Sequence, residues 1–386
     1  MDITIYPRHL RGEIDVIPSK SQAHRLLICA AFADRPTQLN CTETNQDIEA
    51  TVHCLCALGA QIMATDSGYT VLPIQSVPER AVLNCNESGS TLRFMLPIVG
   101  ALGVDGTFHM EGRLADRPLS PLWEEMERMG CSLSRPTPNT LRCTGKLKQG
   151  EYVIDGGVSS QFITGLMFAH ALMGGCTLTV TGKLESKPYV DLTNAALSLF
   201  ADRHSPGDVT VEGDWSNGAF WLVANSLGCE LSIRGLSQNS LQGDRTVVDI
   251  LPRLQDGTPV ISAADIPDLV PILSVAAAAN HGATFTDIQR LRLKESDRVA
   301  SVIAMLENLG GSAAATEDTL TVFPTKFTGG MVDSCNDHRI AMASAIAAII
   351  CKEPVTILGA QAVSKSYPQF WAEYRRLGGN YEQYLR

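Results

Sequence analysis

The sequence is poor in positive charge, in aromatic side chains and in long hydrophobic runs. Its 386 residues carry 31 Lys and Arg against 41 Asp and Glu, for a net charge of -10, and only 6% of the residues are aromatic. A protein with this charge does not bind nucleic acid or anionic lipid through general electrostatic attraction. Any anionic ligand must therefore be held by cations that are clustered locally.

Signals for export, membrane insertion and nucleotide binding are also missing. The first residues contain no charged leader followed by an apolar stretch, and the longest helical apolar run, residues 340–351, is too short to span a bilayer. No GxxxxGK[ST] loop is present, and no GxGxxG follows a predicted strand. We therefore expect a cytoplasmic protein that works without a membrane, a nucleic acid or a cofactor.

The eleven cysteines do not follow a pattern of disulfides or of metal ligands. Their number is odd and they are scattered through segments typical of a protein core, which favours free buried thiols. His53, Cys54 and Cys56 are close in sequence, but they lie inside a helical pattern and no second ligand pair follows at zinc spacing. We expect no metal site.

One local pattern occurs six times along the chain. In the segment Asn86–Arg93, hydroxyl groups and a glycine precede an apolar run, and Arg93 lies one helical turn after Gly89. The open amides at the start of a helix carry partial positive charge and bind anions. One copy alone would more often be a capped core helix. The recurrence of the pattern is what favours anion binding. The six apolar helices are predicted to follow residues 18–25, 86–93, 158–161, 215–217, 266–268 and 336–339.

The spacing of these six starts predicts six copies of one α/β unit. The starts recur at intervals of roughly fifty to seventy residues, and amphipathic helices ending in glycine alternate with them. Between Asp249 and Asp268 there is room for little more than one strand, so part of a unit is lost there. Three units per domain predict a discontinuous domain of residues 1–20 and 212–386 and an inserted domain of residues 21–211. The active site is expected in the cleft between them.

Cations are concentrated at loops and helix starts. Together they predict a basin for small, highly anionic ligands, because Arg forks suit carboxylates and Ser hydroxyls suit phosphate. Asp268 and Glu295 stand among these cations and are candidates for proton transfer, with a helix cap and an ion-pair partner as the respective alternatives. The cations are Lys20, Arg25, Arg93, Arg117, Lys187, Lys294, Arg298, Arg339 and Lys365.

Seven segments are shared with a known family: Pro18–Arg25, Glu87–Arg93, Asp116–Leu119, Val158–Gln161, Ser186–Tyr189, Leu293–Arg298 and Asn336–Arg339. They resemble the enolpyruvyl transferases and, within them, the 5-enolpyruvylshikimate-3-phosphate (EPSP) synthases. The resemblance extends over almost the whole chain. It implies a two-domain, inside-out α/β barrel of six βαβαββ-type repeats, three per domain, with one or two repeats shortened.

The resemblance also implies a reaction. Members of the family transfer the enolpyruvyl group of phosphoenolpyruvate to the 5-hydroxyl of shikimate 3-phosphate, through a tetrahedral intermediate, and release phosphate on the route to chorismate and the aromatic amino acids. They use no cofactor. A monomer is expected, with glyphosate as an inhibitor that competes with phosphoenolpyruvate.

Each matching residue acquires a role from the resemblance. Asp268 is implied as the base at the 5-hydroxyl, and Lys20 and Glu295 take part in proton transfer at the methylene carbon. Glu87 and Arg290 depart from the residues common in well-known members, so the contacts there are open. The positions implied for phosphoenolpyruvate are Lys20, Gly89, Arg117, Gln161, Arg298, Arg339 and Lys365. Those implied for shikimate 3-phosphate are Lys20, Ser21, Arg25, Ser159, Ser160, Gln161, Ser186, Asp268 and Lys294.

Three alternatives remain at this point, and one of them, a non-catalytic homologue, is disfavoured because Lys20, Asp268 and Glu295 are all in place. The sister transferase that acts on UDP-N-acetylglucosamine uses a loop cysteine as proton donor, whereas the corresponding segment here holds Asp116 and Arg117 and no cysteine. The pair Ser159 and Ser160 also favours the shikimate branch. A nucleic-acid-binding protein of related α/β repeats is disfavoured by the net charge and by the lack of basic stripes with interleaved aromatics.

Overall fold

The computed structural model describes residues 1–384, which form two compact units. The discontinuous unit combines Met1–Ile17 with the chain from Gly213 onward, and the inserted unit is Pro18–Glu212. Sequence analysis predicted these boundaries between residues 20 and 21 and between residues 211 and 212. Each unit has a hydrophobic core of its own.

Twenty strands and twelve α-helices make up the described chain. The strands are β1 Asp2–Tyr6, β2 Arg11–Asp15, β3 Thr37–Asn40, β4 Gln61–Thr65, β5 Gly68–Leu72, β6 Arg80–Asn84, β7 Asp105–His109, β8 Cys131–Thr137, β9 Thr140–Gly145, β10 Glu151–Asp155, β11 Thr177–Thr181, β12 Asp208–Thr210, β13 Glu230–Arg234, β14 Val260–Ser262, β15 Ala283–Thr286, β16 Ala313–Ala315, β17 Thr319–Val322, β18 Gly330–Asp333, β19 Val355–Leu358 and β20 Asn380–Tyr384. The helices are α1 Lys20–Ala31, α2 Gln46–Ala57, α3 Gly89–Leu102, α4 Leu122–Arg128, α5 Ser160–Met173, α6 Lys187–Leu199, α7 Trp215–Ser226, α8 Val247–Asp256, α9 Val270–Ala279, α10 Arg298–Asn308, α11 His338–Ala347 and α12 Phe370–Arg376. Short 3-10 helices cover Gly112–Asp116, Ala201–Arg203, Gly243–Thr246, Gln289–Leu293, Ala348–Ile350 and Ala360–Lys365.

The predicted α/β repeat is confirmed. In a complete copy, two parallel strands (β6 and β7) are joined by a buried helix (α3), an outer helix (α4) follows, and a final hairpin (β8 and β9) adds to the sheet in the order β6-β7-β9-β8. The sheets β12-β3-β5-β4, β14-β15-β17-β16 and β18-β19-β1-β20 have the same order. Buried helices in these positions carry apolar side chains on nearly every face because they are surrounded by protein.

Segments distant in the chain complete three of the sheets. Strand β12 comes after α6 but pairs with β3 in parallel, with Thr210 opposite Asn40. At the N-terminus, β1 pairs with β19 and β20, and β2 pairs in parallel with β13, with Ile14 opposite Ile233. The pairings of β1 and β2 are the reason that one unit is discontinuous in sequence.

Two repeats are shortened. The sheets β10-β11 and β2-β13 contain only their parallel pair, because no hairpin follows α6 or α8. The shortening after α8 is the one that the sequence predicted around residues 250–267. A second shortened repeat is within the one or two that the resemblance implies, but its place after α6 was not predicted. There the chain passes within a few residues from Phe200 into β12, a strand that belongs to another sheet.

Five of the six buried helices begin with a side-chain cap. The caps of α1, α3 and α5 are Ser19, Ser88 and Ser159, and those of α7 and α11 are Asp214 and Asp337. Each accepts a hydrogen bond from a backbone amide in the first turn. The polar segments that precede these helices are therefore held against the helix starts.

The eleven cysteines are all unpaired, and eight of them are buried. Within residues 1–384, no group of three or more His, Cys, Asp or Glu side chains is arranged to hold a metal ion. Over the same residues, no helix is both long enough and apolar enough to cross a membrane.

Candidate functional site

Lys20 opens the first buried helix of the inserted unit and is paired with a carboxylate. Its Nζ donates to Asp47 Oδ2 at 2.8 Å, and both side chains are 16% exposed. Asp47 lies in the first turn of α2, where the partial positive charge of the helix start favours a carboxylate. This pair fixes the position of the Lys20 ammonium without burying it completely.

Arg25 lies one turn further along α1 and is almost completely buried. Its Nε donates to Thr193 Oγ1 at 2.9 Å, one Nη to the Tyr189 carbonyl at 2.9 Å and the other Nη to the Ser21 carbonyl at 2.5 Å. Burial lowers the pKa of Arg25 to about 10, which still leaves it charged at neutral pH. The guanidinium therefore ties α1 to α6 and carries a full positive charge into the unit.

The start of α3 brings two guanidinium groups close to one glycine. A Cβ at Gly89 would lie 2.7 Å from Nη1 of both Arg117 and Arg93. Arg93 donates to Gln161 Oε1 at 2.8 Å and to the Pro118 carbonyl at 3.1 Å, and Gln161 Nε2 donates to Ser90 Oγ at 3.0 Å. Gly89 therefore lies in a cationic cradle that a side chain at this position would fill.

Three serines complete the predicted site residues of the inserted unit, and the backbone of one of them, Ser186, is strained. Ser159 caps α5, and Ser160 follows it and is buried. Ser186 precedes α6 in the left-handed region, with φ 56, and is also buried. A non-glycine residue held in this conformation is a common feature of ligand sites, because the surrounding structure must enforce it.

In the discontinuous unit, Asp268 lies in the turn before α9 and accepts from two arginines. Its Oδ1 accepts from Arg298 Nη1 at 2.7 Å, its Oδ2 accepts from Arg339 Nη2 at 3.0 Å, and Lys294 Nζ lies 3.8 Å away. Burial opposes ionisation, but the positive charges of Arg339, Lys294 and Arg298 hold the pKa of Asp268 well below its usual range. The N-cap residue of α9, which begins at Val270, is Leu269, so Asp268 does not hold the N-cap position that the helix-cap alternative gave it.

Arg298 is the centre of this cluster and is fully buried. Besides Asp268, it donates to Glu295 Oε2 at 2.6 Å and to Asp337 Oδ2 at 3.0 Å. These carboxylates outweigh burial and raise the pKa of Arg298 above its usual value. Glu295 is thus an ion-pair partner in this structure, and 24% of its side chain remains exposed.

Two lysines flank the cluster. Burial is the main reason that the pKa of Lys294 is lowered to about 8, and the charges of Arg298 and Arg290 act in the same direction. Lys365 is buried and donates to the Asn336 carbonyl at 2.8 Å, next to the start of α11. Arg290, the residue that departs from the family pattern, therefore contributes to the electrostatics of Lys294.

The predicted residues form two groups, one in each unit. The inserted unit carries Lys20, Ser21, Arg25, Gly89, Arg117, Ser159, Ser160, Gln161 and Ser186, at or beside the starts of α1, α3, α5 and α6. The discontinuous unit carries Asp268, Lys294, Glu295, Arg298, Arg339 and Lys365. Lys187 follows Ser186 at the start of α6 and makes an exposed ion pair with Asp191 within that helix.

Sequence analysis missed three carboxylates of these groups. Asp47 pairs with Lys20, Asp337 pairs with Arg298, and Asp244 is buried near Asp268. Burial and the charge of Asp268 raise the pKa of Asp244 to about 7, against the attraction of Arg339. Only Asp337 had a signal in the sequence, as the residue before the sixth helix start.

Comparison with known proteins gives one family. The family model described as EPSP synthase (3-phosphoshikimate 1-carboxyvinyltransferase) matches residues 6–374. A Clostridium kluyveri protein named 3-phosphoshikimate 1-carboxyvinyltransferase is 36% identical over 420 aligned positions, which cover 99% of this chain and 98% of that protein. A Clostridium novyi protein of the same name is 37% identical, with 98% of each chain covered. The 420 positions exceed the 386 residues of this chain, so the first relative has segments that are lacking here.

Solved structures confirm the fold. EPSP synthase from Acinetobacter baumannii has a TM-score of 0.78 at 22% identity, and the match covers 99% of this chain and 100% of that protein. The enolpyruvyl transferase NikO from Streptomyces tendae has a TM-score of 0.75 at 17% identity, with 99% of this chain and 98% of that protein covered. At these identities the likeness concerns the architecture alone.

Proposed function

The chain belongs to the EPSP synthase family and transfers the enolpyruvyl group of phosphoenolpyruvate to shikimate 3-phosphate in the shikimate pathway, and from this we propose how its residues divide the work. The observation that carries the proposal is the cluster at Asp268, where one carboxylate meets two arginines and a lysine. A site built in this way suits proton transfer next to anionic ligands.

In our proposal, the inserted unit holds phosphate groups. Arg25 with Ser159, Ser160 and Ser186 binds the 3-phosphate side of the acceptor, helped by Ser21. Arg117, Gln161 and Lys20 bind phosphoenolpyruvate, chiefly its phosphate, at the cradle around Gly89. The open amides at the starts of the buried helices add donors for the same oxygens.

The discontinuous unit holds the carboxylate of phosphoenolpyruvate and the reacting hydroxyl. Arg298, Arg339 and Lys365 receive the carboxylate, while Lys294 and Asp268 contact shikimate 3-phosphate. Because Arg298 and Arg339 already bind Asp268, an incoming carboxylate competes with that aspartate for them. Its arrival weakens their hold on Asp268 and raises the pKa of Asp268, which makes it a better base at the moment of reaction.

The proton steps balance within this set. Asp268 accepts the proton of the 5-hydroxyl as the oxygen attacks C2 of phosphoenolpyruvate, and Lys20 or Glu295 delivers a proton to C3. In the tetrahedral intermediate, the new methyl group returns a proton to the same Lys20 or Glu295 as the bond between C2 and the phosphate oxygen breaks, which restores the enol ether. Asp268 passes its proton to the departing phosphate or to solvent, so that the enzyme returns to its starting state. No step requires an oxidant or reductant.

Electrostatic repulsion is the main obstacle to this reaction. Two ligands that each carry a phosphate and a carboxylate repel one another by several kcal/mol when they touch, even at an effective dielectric constant of about 20. We propose that cations from both units offset the repulsion, in a cleft that closes around the ligands.

Further properties follow for the enzyme in the cell. We propose a cytoplasmic enzyme in which one chain suffices for catalysis, since it carries every residue assigned above. Glyphosate is proposed to compete with phosphoenolpyruvate at the Gly89 cradle, where the glycine leaves room between Arg93 and Arg117. High glyphosate without any effect on the rate would contradict this assignment.

The experiment that tests the proposal measures phosphate release from phosphoenolpyruvate with either acceptor. We expect turnover with shikimate 3-phosphate and none with UDP-N-acetylglucosamine, the substrate of the alternative transferase. Lys20→Met and Asp268→Ala are each expected to abolish turnover while the circular dichroism spectrum stays unchanged. The exposed Asp265→Ala is the matched control for Asp268→Ala, and near-full activity of either site variant would refute its assigned role.

A further inference from the structure

Four fully buried polar side chains of the inserted unit form a chain of hydrogen bonds. They are His24 in α1, Thr51 in α2, Thr91 in α3 and Ser88, which caps α3. Thr51 Oγ1 lies 2.7 Å from His24 Nδ1 and 2.8 Å from Thr91 Oγ1, and Thr91 Oγ1 lies 2.8 Å from Ser88 Oγ. Three helices are therefore linked through Thr51 and its two neighbours.

The Thr91 hydroxyl fixes the direction of these bonds. It donates to the Asp47 carbonyl at 3.3 Å and to Ser88 Oγ at 2.8 Å, so its one proton is shared between these two acceptors. It therefore accepts from Thr51, and Thr51 in turn accepts from a proton on His24 Nδ1. His24 Nε2, which has no hydrogen-bond partner within residues 1–384, is then the unprotonated nitrogen of a neutral ring. A neutral ring agrees with burial, which is the main reason that the pKa of His24 is lowered well below its usual value.

Two members of the chain lie one helical turn after the ion pair of Lys20 and Asp47. His24 follows Lys20 by four residues in α1, and Thr51 follows Asp47 by four residues in α2. Residues four apart lie on the same face of a helix. The hydrogen bond between His24 and Thr51 therefore ties together the two helix faces that carry the ion pair.

The other two members belong to the start of α3. Ser88 comes directly before Gly89, and its Oγ accepts from the Thr91 amide at 3.3 Å. Asp47 is held from two sides as a result, because its carboxylate accepts from Lys20 and its carbonyl accepts from Thr91. The hydrogen bonds thus run without a break from the Lys20 ammonium to the residue before Gly89.

Packing alone does not require hydroxyl groups at these positions. Valine has nearly the shape of threonine, and replacing both partners of a buried hydrogen bond with apolar groups of the same shape can leave stability almost unchanged. A chain of hydrogen bonds differs from apolar contacts because it fixes distances and directions, and because one broken link leaves buried polar groups unsatisfied. What the chain adds is a single arrangement of α1, α2 and α3.

We propose that Thr51, together with His24 and Thr91, positions the Lys20 ammonium relative to the Gly89 cradle. Thr51 is fully buried, so it is a positioning residue that acts through its neighbours and does not touch the substrate. A group displaced by about 1 Å can cost about a hundredfold in rate, so a shift between these helices would reach the reaction. The inference rests on the proposed function, in which Lys20 and the cradle bind the same phosphoenolpyruvate molecule.

The experiment compares two substitutions at Thr51, with kcat/KM for phosphoenolpyruvate as the readout. Thr51→Val keeps the shape of the side chain and loses the hydroxyl, and it is expected to lower kcat/KM by about tenfold or more. Thr51→Ser keeps the hydroxyl and is expected to retain most of the natural value. The KM for shikimate 3-phosphate should change less, because the partners of Arg25 are unaltered. A role in packing alone predicts the reverse order, with valine as the milder change, and that result would overturn the proposal.

Thr37→Val is the matched control in the same unit. Thr37 is also fully buried, and its Oγ1 forms a 2.7 Å hydrogen bond with Ser205 Oγ. It lies in β3, outside the helix starts of the site. Its substitution is expected to lower the melting temperature about as much as Thr51→Val does and to leave kcat/KM unchanged. Equal kcat/KM values for the two valine variants would overturn the proposal.

A spectroscopic measurement on the natural chain keeps the test decisive if Thr51→Val folds poorly. In nitrogen NMR of protein with isotope-labelled histidine, the His24 ring is identified by the loss of its signals in His24→Gln. The ring is expected to be neutral at neutral pH, with its proton on Nδ1. A proton on Nε2 would reverse the hydrogen bond to Thr51 and overturn the proposal.

The result for Lys20→Met separates this inference from the proposed function. If that variant keeps the natural kcat/KM for phosphoenolpyruvate, both fail together. If Lys20→Met abolishes turnover while Thr51→Val matches Thr37→Val, only the role of Thr51 fails.

Discussion

The two groups of site residues, one in each unit and together the two halves of the proposed site, hold their cations in different ways. In the inserted unit, Arg25 and Arg93 donate to hydroxyl, carbonyl and amide oxygens, which are neutral. In the discontinuous unit, Arg298 donates to three carboxylates, those of Asp268, Glu295 and Asp337. Lys20 is an exception in the inserted unit, because it pairs with Asp47. In our proposal, Arg25 therefore offers its charge directly to a ligand, whereas Arg298 exchanges internal ion pairs for ligand contacts.

This difference assigns separate tasks to the two units. Neutral partners position a guanidinium without neutralising it, which suits the binding of a phosphate dianion. Carboxylate partners that a ligand displaces change their own pKa, which suits proton transfer. The inserted unit is in this account the binding half, and the discontinuous unit is the half in which protons move.

The largest expected effect comes from removal of one arginine in each half. Arg298→Met leaves three buried or half-buried carboxylates without their common partner, and we expect a loss of about 3–5 kcal/mol in the free energy of unfolding. Arg25→Met leaves only hydroxyl and carbonyl acceptors without a partner, and we expect a loss of about 1–3 kcal/mol. Urea denaturation of both variants without ligands measures the two losses. Equal losses would remove the distinction between the halves.

A smaller effect is expected at the cradle of the binding half. Gly89→Ala places a methyl group where the Arg93 and Arg117 guanidinium groups now lie, so both must shift. We expect an increase of about tenfold in KM for phosphoenolpyruvate, from one weakened charged hydrogen bond, and weaker inhibition by glyphosate.

The control for this variant is in the other unit. Gly257→Ala adds a methyl group with no atom within 4 Å and should leave both constants unchanged. The KM for shikimate 3-phosphate serves as an internal reference for Gly89→Ala. If Gly89→Ala leaves the KM for phosphoenolpyruvate unaltered, Gly89 does not lie at the binding site of that ligand.

The smallest expected effect is the pH dependence of KM for shikimate 3-phosphate, which we attribute to Lys294 in the discontinuous unit. The pKa of Lys294 is lowered to about 8, so its ammonium is charged below that pH and loses its proton as the pH rises through it. Binding of shikimate 3-phosphate is expected to weaken over this range, with KM rising while kcat changes little. Lys294→Arg keeps its charge and should abolish the rise. A KM that is flat between pH 7 and 9 in the natural enzyme would argue against a contact with Lys294.

Local patterns made much of the fold and of the site predictable. Ser88 and Asp337 cap apolar helices, and a polar segment before an apolar run can be recognised from a dozen residues. Glu295 could be selected because Lys294 and Arg298 flank it in sequence, and Asp268 because it precedes an apolar helix. Their roles came from the resemblance to a family rather than from the residues alone.

What sequence analysis missed depends on distant pairing. Asp47 is 27 residues from Lys20, and nothing near it in sequence marks it as a partner. Asp244 is buried beside Asp268 only because the 3-10 helix before α8 packs on the start of α7. The second shortened repeat was missed because β12, which follows Phe200, completes the sheet of β3.

The central claim is that one phosphoenolpyruvate molecule is held by cations of both units. A double-mutant cycle with Arg117→Met in the inserted unit and Arg339→Met in the discontinuous unit tests it, with kcat/KM for phosphoenolpyruvate as the readout. We predict a loss for each single variant and a combined loss that departs from their sum by about 0.5 kcal/mol or more. A single variant that retains the natural kcat/KM for phosphoenolpyruvate would contradict the account.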